Sequence, residues 1–236
     1  MLKTVFWFFR FGLYMIGTFL KAIKLIFIKK SDIYKAEEYS YLCAKKWARF
    51  CAKSIGVNIT VIGKEKIPEG ACLFVGNHQG YFDVPLVLSQ IDKKIGFVAK
   101  KELEGIPILS KWMREIHCVF MDRSNPREAI KSINEGAEYL KKGYSMAIFP
   151  EGTRSKSNVL GEFKKGSMKL GLKAAVPIVP ITVKNTYKVF EEKKRIRKAD
   201  VQLIIGNPIY INTLNKEDQN NLTDIIKNEI STELKI

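Results

Sequence analysis

The first thirty residues, MLKTVFWFFRFGLYMIGTFLKAIKLIFIKK, form the most hydrophobic stretch of the chain. At about 100° per residue, a helix here places Lys3, Arg10, Lys21 and Lys24 within an arc of roughly 60°. Aromatic and aliphatic side chains cover the rest of its surface. A narrow cationic stripe on an apolar helix is typical of a helix that lies in the interface of a bilayer. The pattern therefore predicts an interfacial, membrane-binding helix.

The same stretch allows two other interpretations. A signal peptide is disfavoured because no small-residue cleavage site follows the apolar region. A transmembrane span needs about 20 mostly apolar residues, whereas Arg10 and Lys21 leave only the ten residues 11–20 uninterrupted between them. The interfacial helix is preferred, and a tilted span with snorkelling ends stays open.

The next stretch, residues 31–56, has the pattern of a second amphipathic helix. Ser31 and Asp32 are candidate caps at its start, and Gly56 ends it. Four lysines, Arg49 and Glu38 occupy one side, and Tyr39, Cys43, Trp47, Phe50 and Cys51 occupy the other. Residues 1–56 are thus predicted to form a helical pair for membrane association, although the apolar face of the second helix can instead pack on the main domain.

From residue 57 to residue 236 the pattern changes to short β-branched and aliphatic runs that alternate with helical stretches. The predicted strands are residues 58–63, 72–76, 95–100, 117–121, 146–150, 178–183 and 201–206, and the predicted helices are 84–91, 126–142, 164–174 and 217–234. This alternation predicts an α/β fold with a largely parallel sheet and flanking helices. Sites in such sheets lie in the loops that leave the carboxyl ends of strands.

The formal charge of +16 implies an anionic partner. Nucleic acid, an anionic membrane surface and a phosphorylated substrate all qualify, as does a merely solvated basic surface. The basic run EEKKRIRK, residues 191–198, is interpreted as a solvated excursion or a second membrane contact. The four cysteines show no C-x-x-C spacing, which favours reduced structural thiols and, weakly, a cytoplasmic location.

One of the two histidines lies in the stretch FVGNHQGYFDVP, five residues before a carboxylate. In a regular helix His78 and Asp83 would be turned apart by roughly 140°. Here His78 follows a predicted strand and Asp83 stands at the predicted N-cap of the next helix, so the loop can bring them together. A carboxylate that accepts the Nδ1–H of an imidazole leaves Nε2 as a base. A capping aspartate beside an unrelated loop histidine is the alternative.

Three more predicted strand ends carry charged or hydroxyl side chains. FPEGTRS, residues 149–155, offers Glu151, Thr153 and Arg154 around a turn at Gly152. The other two strand ends supply Arg123 and the Lys100–Lys101 pair. Cations that converge at one end of a parallel sheet suit a phosphate-bearing substrate, although each alone can simply be an exposed loop residue.

With these stretches in place, the chain resembles the 1-acylglycerol-3-phosphate acyltransferases. NHQGYFD, FMDR, FPEGTRS and VPIVPITV match the four motif blocks of that family in order and approximate spacing, across residues 57–206. H-x-x-x-x-D alone is a loose pattern, but together with F-P-E-G-T-R-S it is specific. The family has an α/β fold, and the helical pair also fits its bacterial members.

The resemblance implies transfer of a fatty acyl group from a thioester, on acyl carrier protein or coenzyme A, to the sn-2 hydroxyl of lysophosphatidic acid, which gives phosphatidic acid. His78 would act as general base and Asp83 would orient it. Glu151, Gly152, Thr153 and Arg154 would form the glycerol phosphate site, joined by Lys100 and Arg123. An internal ion pair between Glu151 and an arginine is the alternative for that residue.

No metal site or cofactor is expected, because neither a metal-ligand cluster nor a glycine-rich nucleotide motif is found in the sequence. Another lysolipid or glycerol 3-phosphate as acceptor stays open, as does a non-catalytic basic membrane-binding protein. Nucleic acid is not expected as a partner, because the main domain has no recognised nucleic-acid-binding motif. The protein is expected on the cytoplasmic face of a membrane.

Overall fold

A computed structural model describes residues 2–235, and its centre is a sheet of seven strands. The strands are β1 (Asn58–Ile62), β2 (Leu73–Gly76), β3 (Ile95–Lys100), β4 (Val119–Met121), β5 (Ser145–Ile148), β6 (Ile178–Lys184) and β7 (Asp200–Ile205). Their order is β1-β7-β6-β2-β5-β3-β4, in which β6, β2, β5, β3 and β4 run parallel. Only β7, antiparallel to β6, and its parallel partner β1 run the other way. The prediction of a largely parallel sheet is confirmed.

Helices flank the sheet on both faces. They are α1 (Leu2–Ser31), α2 (Ile33–Ile55), α3 (Asp83–Gln90), α4 (Pro107–Glu115), α5 (Pro126–Lys141), α6 (Lys169–Ala174) and α7 (Lys216–Lys235). The helix predicted over residues 164–174 begins as a 3₁₀ turn, Lys165–Met168, before α6. Helix α4 was not predicted from the sequence.

Two hydrophobic layers cover the sheet, and strand periodicity assigns each side chain to one of them. In β2, Phe74 points to the layer shared with α2 and α3, whereas its neighbours Leu73 and Val75 point to the layer shared with α5, α6 and α7. All four β2 residues are buried, as expected for a central strand of a parallel sheet. The strand that precedes His78 is therefore held on both faces.

Helix α2 packs into the first of these layers. Its buried face is made largely of small residues, among them Ala44, Ala48 and Ala52, which let the helix approach the sheet closely. Asp32 caps its start by accepting the Lys35 N–H, and Gly56 ends it with φ 78°. The predicted caps Asp32 and Gly56 are confirmed, whereas the other candidate, Ser31, is the last residue of α1. The apolar face of α2 packs on the main domain.

Helix α1 lies along the protein and contacts it at both ends. The Ile196 N–H donates to Thr4 Oγ1 at 3.1 Å near the start of α1, and Lys29 pairs with Glu115 at 2.7 Å near its end. Between them, the Tyr14 ring stacks on Phe50 of α2 at 4.2 Å. The other side of α1 exposes large apolar side chains along most of its length. By length and composition α1 also passes the criterion for a membrane span, with a mean hydropathy of 1.7 over its most apolar window.

Candidate active site

The candidate site lies where β2, β5, β3 and β4 end, because their carboxyl ends share one edge of the sheet. The loop that leaves β2 starts at Asn77, whose side chain pairs with both backbone groups of Val183 in β6, at 2.8 and 2.9 Å. Further along, the Ser155 N–H donates to the His78 carbonyl at 2.8 Å. These contacts fix the β2 loop against β6 on one side and the β5 loop on the other.

His78 and Asp83 contact each other within this loop. The distance from His78 Nδ1 to Asp83 Oδ2 is 2.6 Å, and the imidazole stacks on the Phe149 ring with centroids 4.5 Å apart. The Asp83 side chain is fully buried, whereas 19% of the His78 side chain is exposed. The imidazole is therefore oriented by a carboxylate on one edge and open to ligands on the other.

The Asp83 carboxylate faces the loop and does not cap α3, so its predicted capping role is wrong. It is the first residue of α3, and the N-cap position belongs to Phe82. Its Oδ2 also accepts the N–H groups of Gln79 at 2.6 Å and Gly80 at 2.9 Å. Its Oδ1 accepts the hydroxyl of Thr186, the residue that begins a 3₁₀ turn after β6. Every contact of this carboxylate is with a group that can donate a hydrogen bond.

Glu151 ties the two site loops together through backbone groups. One carboxylate oxygen accepts the His78 N–H at 2.6 Å, and the other accepts the Gly161 N–H at 2.9 Å. Burial raises the pKa of this carboxyl, while the two N–H groups oppose the shift. None of the ion pairs within residues 2–235 involves Glu151, so the alternative of an internal pair with an arginine is wrong.

Gly152 and Arg123 meet beside this carboxylate. Gly152 adopts a φ of 71°, and Arg123 Nη1 donates to its carbonyl oxygen. A Cβ at Gly152 would lie 2.9 Å from that nitrogen, so glycine provides both the backbone conformation and the space. Burial lowers the pKa of the Arg123 guanidinium. Thr153, the next residue, is exposed.

Arg154 lies between an aromatic ring and a buried carboxylate. Its guanidinium carbon is 3.6 Å from the centroid of the Tyr81 ring, and Nη1 is 3.3 Å from Glu191 Oε1. The same Glu191 oxygen accepts the Tyr81 N–H at 2.7 Å, while its Oε2 is buried without a hydrogen-bond partner in residues 2–235. Glu191 thus orients both Arg154 and the loop that carries His78.

Lys100 is exposed at the end of β3. In the sheet it lies opposite Met121 of β4, and Met121 is two residues before Arg123. Its neighbour Lys101 pairs with Asp122 at 3.0 Å, whereas Lys100 forms none of the ion pairs found between residues 2 and 235. Lys100 therefore presents an uncompensated charge at the same edge of the sheet as His78.

Sequence reasoning missed four residues that organise this site. Thr186 and Glu191 reach it from the segment after β6, and Tyr81 and Gln79 lie inside the motif without a charge to mark them. The Gln79 side chain accepts the Thr186 N–H at 3.1 Å and donates to Asn158 at 2.9 Å. Because Thr186 lies 103 positions from Asp83, local sequence gave no signal for this contact.

The second histidine, His117, lies away from this site, at the end of the sheet where β4 begins. It precedes β4 with φ 58°, so its predicted place within a strand is wrong. Its ring stacks on Tyr144 at 3.9 Å, and its Nδ1 is 3.1 Å from the Tyr41 hydroxyl. His117 is thus a packed and partnered residue.

Comparisons with known proteins agree with this geometry. The family model described as Acyltransferase matches residues 58–184, which span all four motif blocks. A probable 1-acyl-sn-glycerol-3-phosphate acyltransferase from Mycoplasma pneumoniae is 35% identical over 189 residues, 75% of this chain and 71% of that protein. The chloroplastic 1-acyl-sn-glycerol-3-phosphate acyltransferase of Arabidopsis thaliana is 33% identical over 82% of this chain and 56% of that protein.

A solved structure extends the likeness to the helical pair. The crystal structure of the 1-acyl-sn-glycerophosphate (LPA) acyltransferase PlsC from Thermotoga maritima superposes with a TM-score of 0.83 at 27% identity, and covers 99% of this chain and 94% of that chain. The motif blocks, the family match and the shared fold lead to one conclusion. The chain belongs to the acyltransferase family, among the 1-acyl-sn-glycerol-3-phosphate acyltransferases.

Proposed function

We propose that the protein transfers a fatty acyl group from a thioester, on acyl carrier protein or coenzyme A, to the sn-2 hydroxyl of lysophosphatidic acid, forming phosphatidic acid. The observation that carries the proposal is the buried Asp83 carboxylate, 2.6 Å from the Nδ1 of a partly exposed His78, at the strand ends that also carry Arg123 and Lys100. The names of the relatives support the acceptor.

In the proposed reaction, His78 Nε2 takes the proton of the acceptor hydroxyl as its oxygen attacks the thioester carbonyl carbon. Asp83 stabilises the resulting imidazolium. The tetrahedral intermediate then collapses, the carbon–sulfur bond breaks, and the proton on Nε2 passes to the leaving thiolate. The proton, the ester bond and the free thiol are thereby all accounted for within one site.

Direct transfer is favoured over an acyl-enzyme because the cysteine thiols are poor nucleophiles. All four are free and buried. Burial raises the pKa of Cys72 to about 11 and that of Cys118 to about 12. The thiolate is the reactive form, so buried thiols with raised pKa values remain protonated and inert near neutral pH.

Three cations are proposed to bind the acceptor phosphate. Lys100 is exposed and unpaired in the described chain, Arg154 is held on Tyr81, and Arg123 is fixed on the carbonyl of Gly152. Guanidinium groups suit a phosphate because they donate two parallel hydrogen bonds. Glu151 supports this site by accepting the His78 N–H, and Gly152 supplies the carbonyl that holds Arg123. Thr153 is exposed next to Arg154.

Membrane association at the cytoplasmic face is proposed to be interfacial. The two ends of α1 contact the same domain, through Thr4 with Ile196 and through Lys29 with Glu115. A helix with both ends docked on one side cannot cross a hydrocarbon core of about 30 Å while it keeps these contacts. Its exposed apolar side can lie among acyl chains, which brings the site near the lipid headgroups.

The function is tested with the purified full chain and a panel of acceptors. Lysophosphatidic acid, other lysophospholipids and glycerol 3-phosphate are each offered with an acyl-carrier-protein thioester and with a coenzyme A thioester, and products are identified by mass spectrometry. We expect phosphatidic acid from lysophosphatidic acid. Acylation of another acceptor alone would assign that acceptor instead, and no product from any pair would favour a non-catalytic membrane protein.

Replacing Glu191 with alanine is expected to raise the KM for the acceptor about tenfold, with a smaller change in kcat. The variant loses the carboxylate that orients Arg154 and leaves the Tyr81 N–H without its acceptor, and a hydrogen bond to a charged group contributes about 1.5–3 kcal/mol. Steady-state kinetics with varied acceptor measures the effect.

The matched control is Glu192→Ala, which removes an adjacent but exposed glutamate paired with Arg197. Its KM should stay at the wild-type value. Equal KM values for the Glu191 and Glu192 variants would show that Glu191 does not position the acceptor site.

A further inference from the structure

The chain exposes a dense group of cations that the reaction does not use, in residues 192–198, here termed the basic segment. Its sequence is EKKRIRK, and every residue except Ile196 is exposed. Within the described part of the chain, the only ion pair of its five cations joins Arg197 to Glu192 at 3.3 Å. Four positive charges of the segment therefore face solvent without an internal partner.

The basic segment is held against the start of α1. The Ile196 N–H donates to Thr4 Oγ1 at 3.1 Å, and Phe190, just before the segment, meets the Phe8 ring edge-on at 6.0 Å. Around these contacts the first turns of α1 expose Leu2, Val5, Phe6 and Phe9, the first of them at 84%. Apolar side chains and cations are thus adjacent on one surface.

This surface borders the active site. The Phe190 ring lies 6.2 Å from the ring of Tyr81, and Glu191 accepts the Tyr81 N–H. Tyr81 in turn carries Arg154 and belongs to the same loop as His78. A ligand of the basic segment therefore binds next to the loop that carries His78.

We propose that the basic segment is a second membrane contact, which binds the headgroups of anionic lipids while the start of α1 enters the acyl layer. Exposed aromatic and aliphatic side chains beside a cluster of lysines and arginines are the two features that an anionic bilayer surface recognises. An acidic protein would meet the cations but leave the apolar turns of α1 uncovered. The inference rests on the membrane association in the proposed function and specifies its lipid class.

The test measures binding of the full chain to sedimented vesicles of phosphatidylcholine alone and of phosphatidylcholine with phosphatidylglycerol. The variant K193E/K194E is compared with K141E/K142E, which reverses two adjacent exposed lysines at the end of α5. Lys141 and Lys142 precede β5 and so lie at the end of the sheet opposite the active site. Both variants lower the net charge equally, and the control also loses the exposed ion pair of Lys141 with Glu138.

We expect K193E/K194E to lower partitioning onto anionic vesicles about tenfold to a hundredfold, since each cation near an anionic surface contributes appreciably to binding. Partitioning onto phosphatidylcholine vesicles should stay unchanged, and K141E/K142E should behave as wild type on both. Transfer to an acceptor dispersed in detergent should survive in both variants, which keeps a failed membrane contact distinguishable from a failed catalytic assignment.

Equal losses in the two variants, or no loss in either, would overturn the proposal. So would a K193E/K194E variant that keeps vesicle binding but loses transfer from acyl carrier protein, because that result assigns the segment to the protein donor. Thermal unfolding followed by circular dichroism verifies that both variants are folded, and the binding assay does not depend on turnover.

Discussion

Replacing His78 with asparagine is expected to reduce acyl transfer by about 10²–10⁴-fold, the contribution typical of a general base. Asparagine can still donate to Asp83, so the loop keeps its structure, but it offers no basic nitrogen to the acceptor hydroxyl. The measurement is the rate of product formation by mass spectrometry at saturating donor and acceptor, with circular dichroism to verify the fold.

The matched control is His117→Asn, the same change at the other histidine. Asparagine tolerates the left-handed backbone that His117 adopts at φ 58°. This variant should keep its turnover, although it loses the stacking on Tyr144 and can be less stable. Retained transfer in His78→Asn, or equal losses in the two variants, would contradict the assignment of the base.

Replacing Asp83 with asparagine is expected to lower kcat about 10²-fold in a folded protein, because it removes the charge that stabilises the imidazolium. Oδ2 of Asp83 accepts from His78 and two backbone N–H groups. An asparagine must therefore place its carbonyl oxygen there and turn its amide toward the Thr186 hydroxyl, which can accept. The variant therefore keeps the orientation of the side chain at position 83 and loses its negative charge.

Thr186 gives this prediction its control. Thr186→Val alone removes one donor to Asp83 but leaves the carboxylate charged, so we expect a smaller loss than in Asp83→Asn. In the double variant the amide has no acceptor, and its loss of kcat should exceed the sum of the two single losses, expressed as free energies, because the two side chains are in contact. Strict additivity would show that Thr186 does not orient residue 83.

The strands were predictable because their signal is local. Each of the seven β-branched or aliphatic runs chosen from the sequence became a strand, with ends that differ by at most two residues. Helix α4 was missed because it has only nine residues, fewer than the about 10–12 over which a helical period is recognised, although Ile108, Leu109, Trp112 and Met113 do follow that period. The chain before it leaves β3 through a 3₁₀ turn, Lys101–Gly105.

The site was predictable in part. His78 and Asp83 lie in one loop, so their contact could be inferred from a strand followed by glycines and a helix start. The direction of the Asp83 side chain could not be inferred, because it depends on a contact with Thr186 from a distant segment. Nor could the sequence show that Glu151 is satisfied by two backbone N–H groups, since Gly161 only becomes its partner when the β5 loop folds back.

The stacking of His78 on Phe149, with ring planes 13° apart, restricts the orientation of the imidazole. One ring face is covered and Nδ1 is bound to Asp83, so these two contacts hold the imidazole in one orientation. In the reaction that we propose, the proton taken up at Nε2 leaves from that same nitrogen, toward the thiolate. In the direct transfer that we propose, the alcohol and the thioester are bound together in a ternary complex, and the spent carrier leaves after the alcohol has arrived.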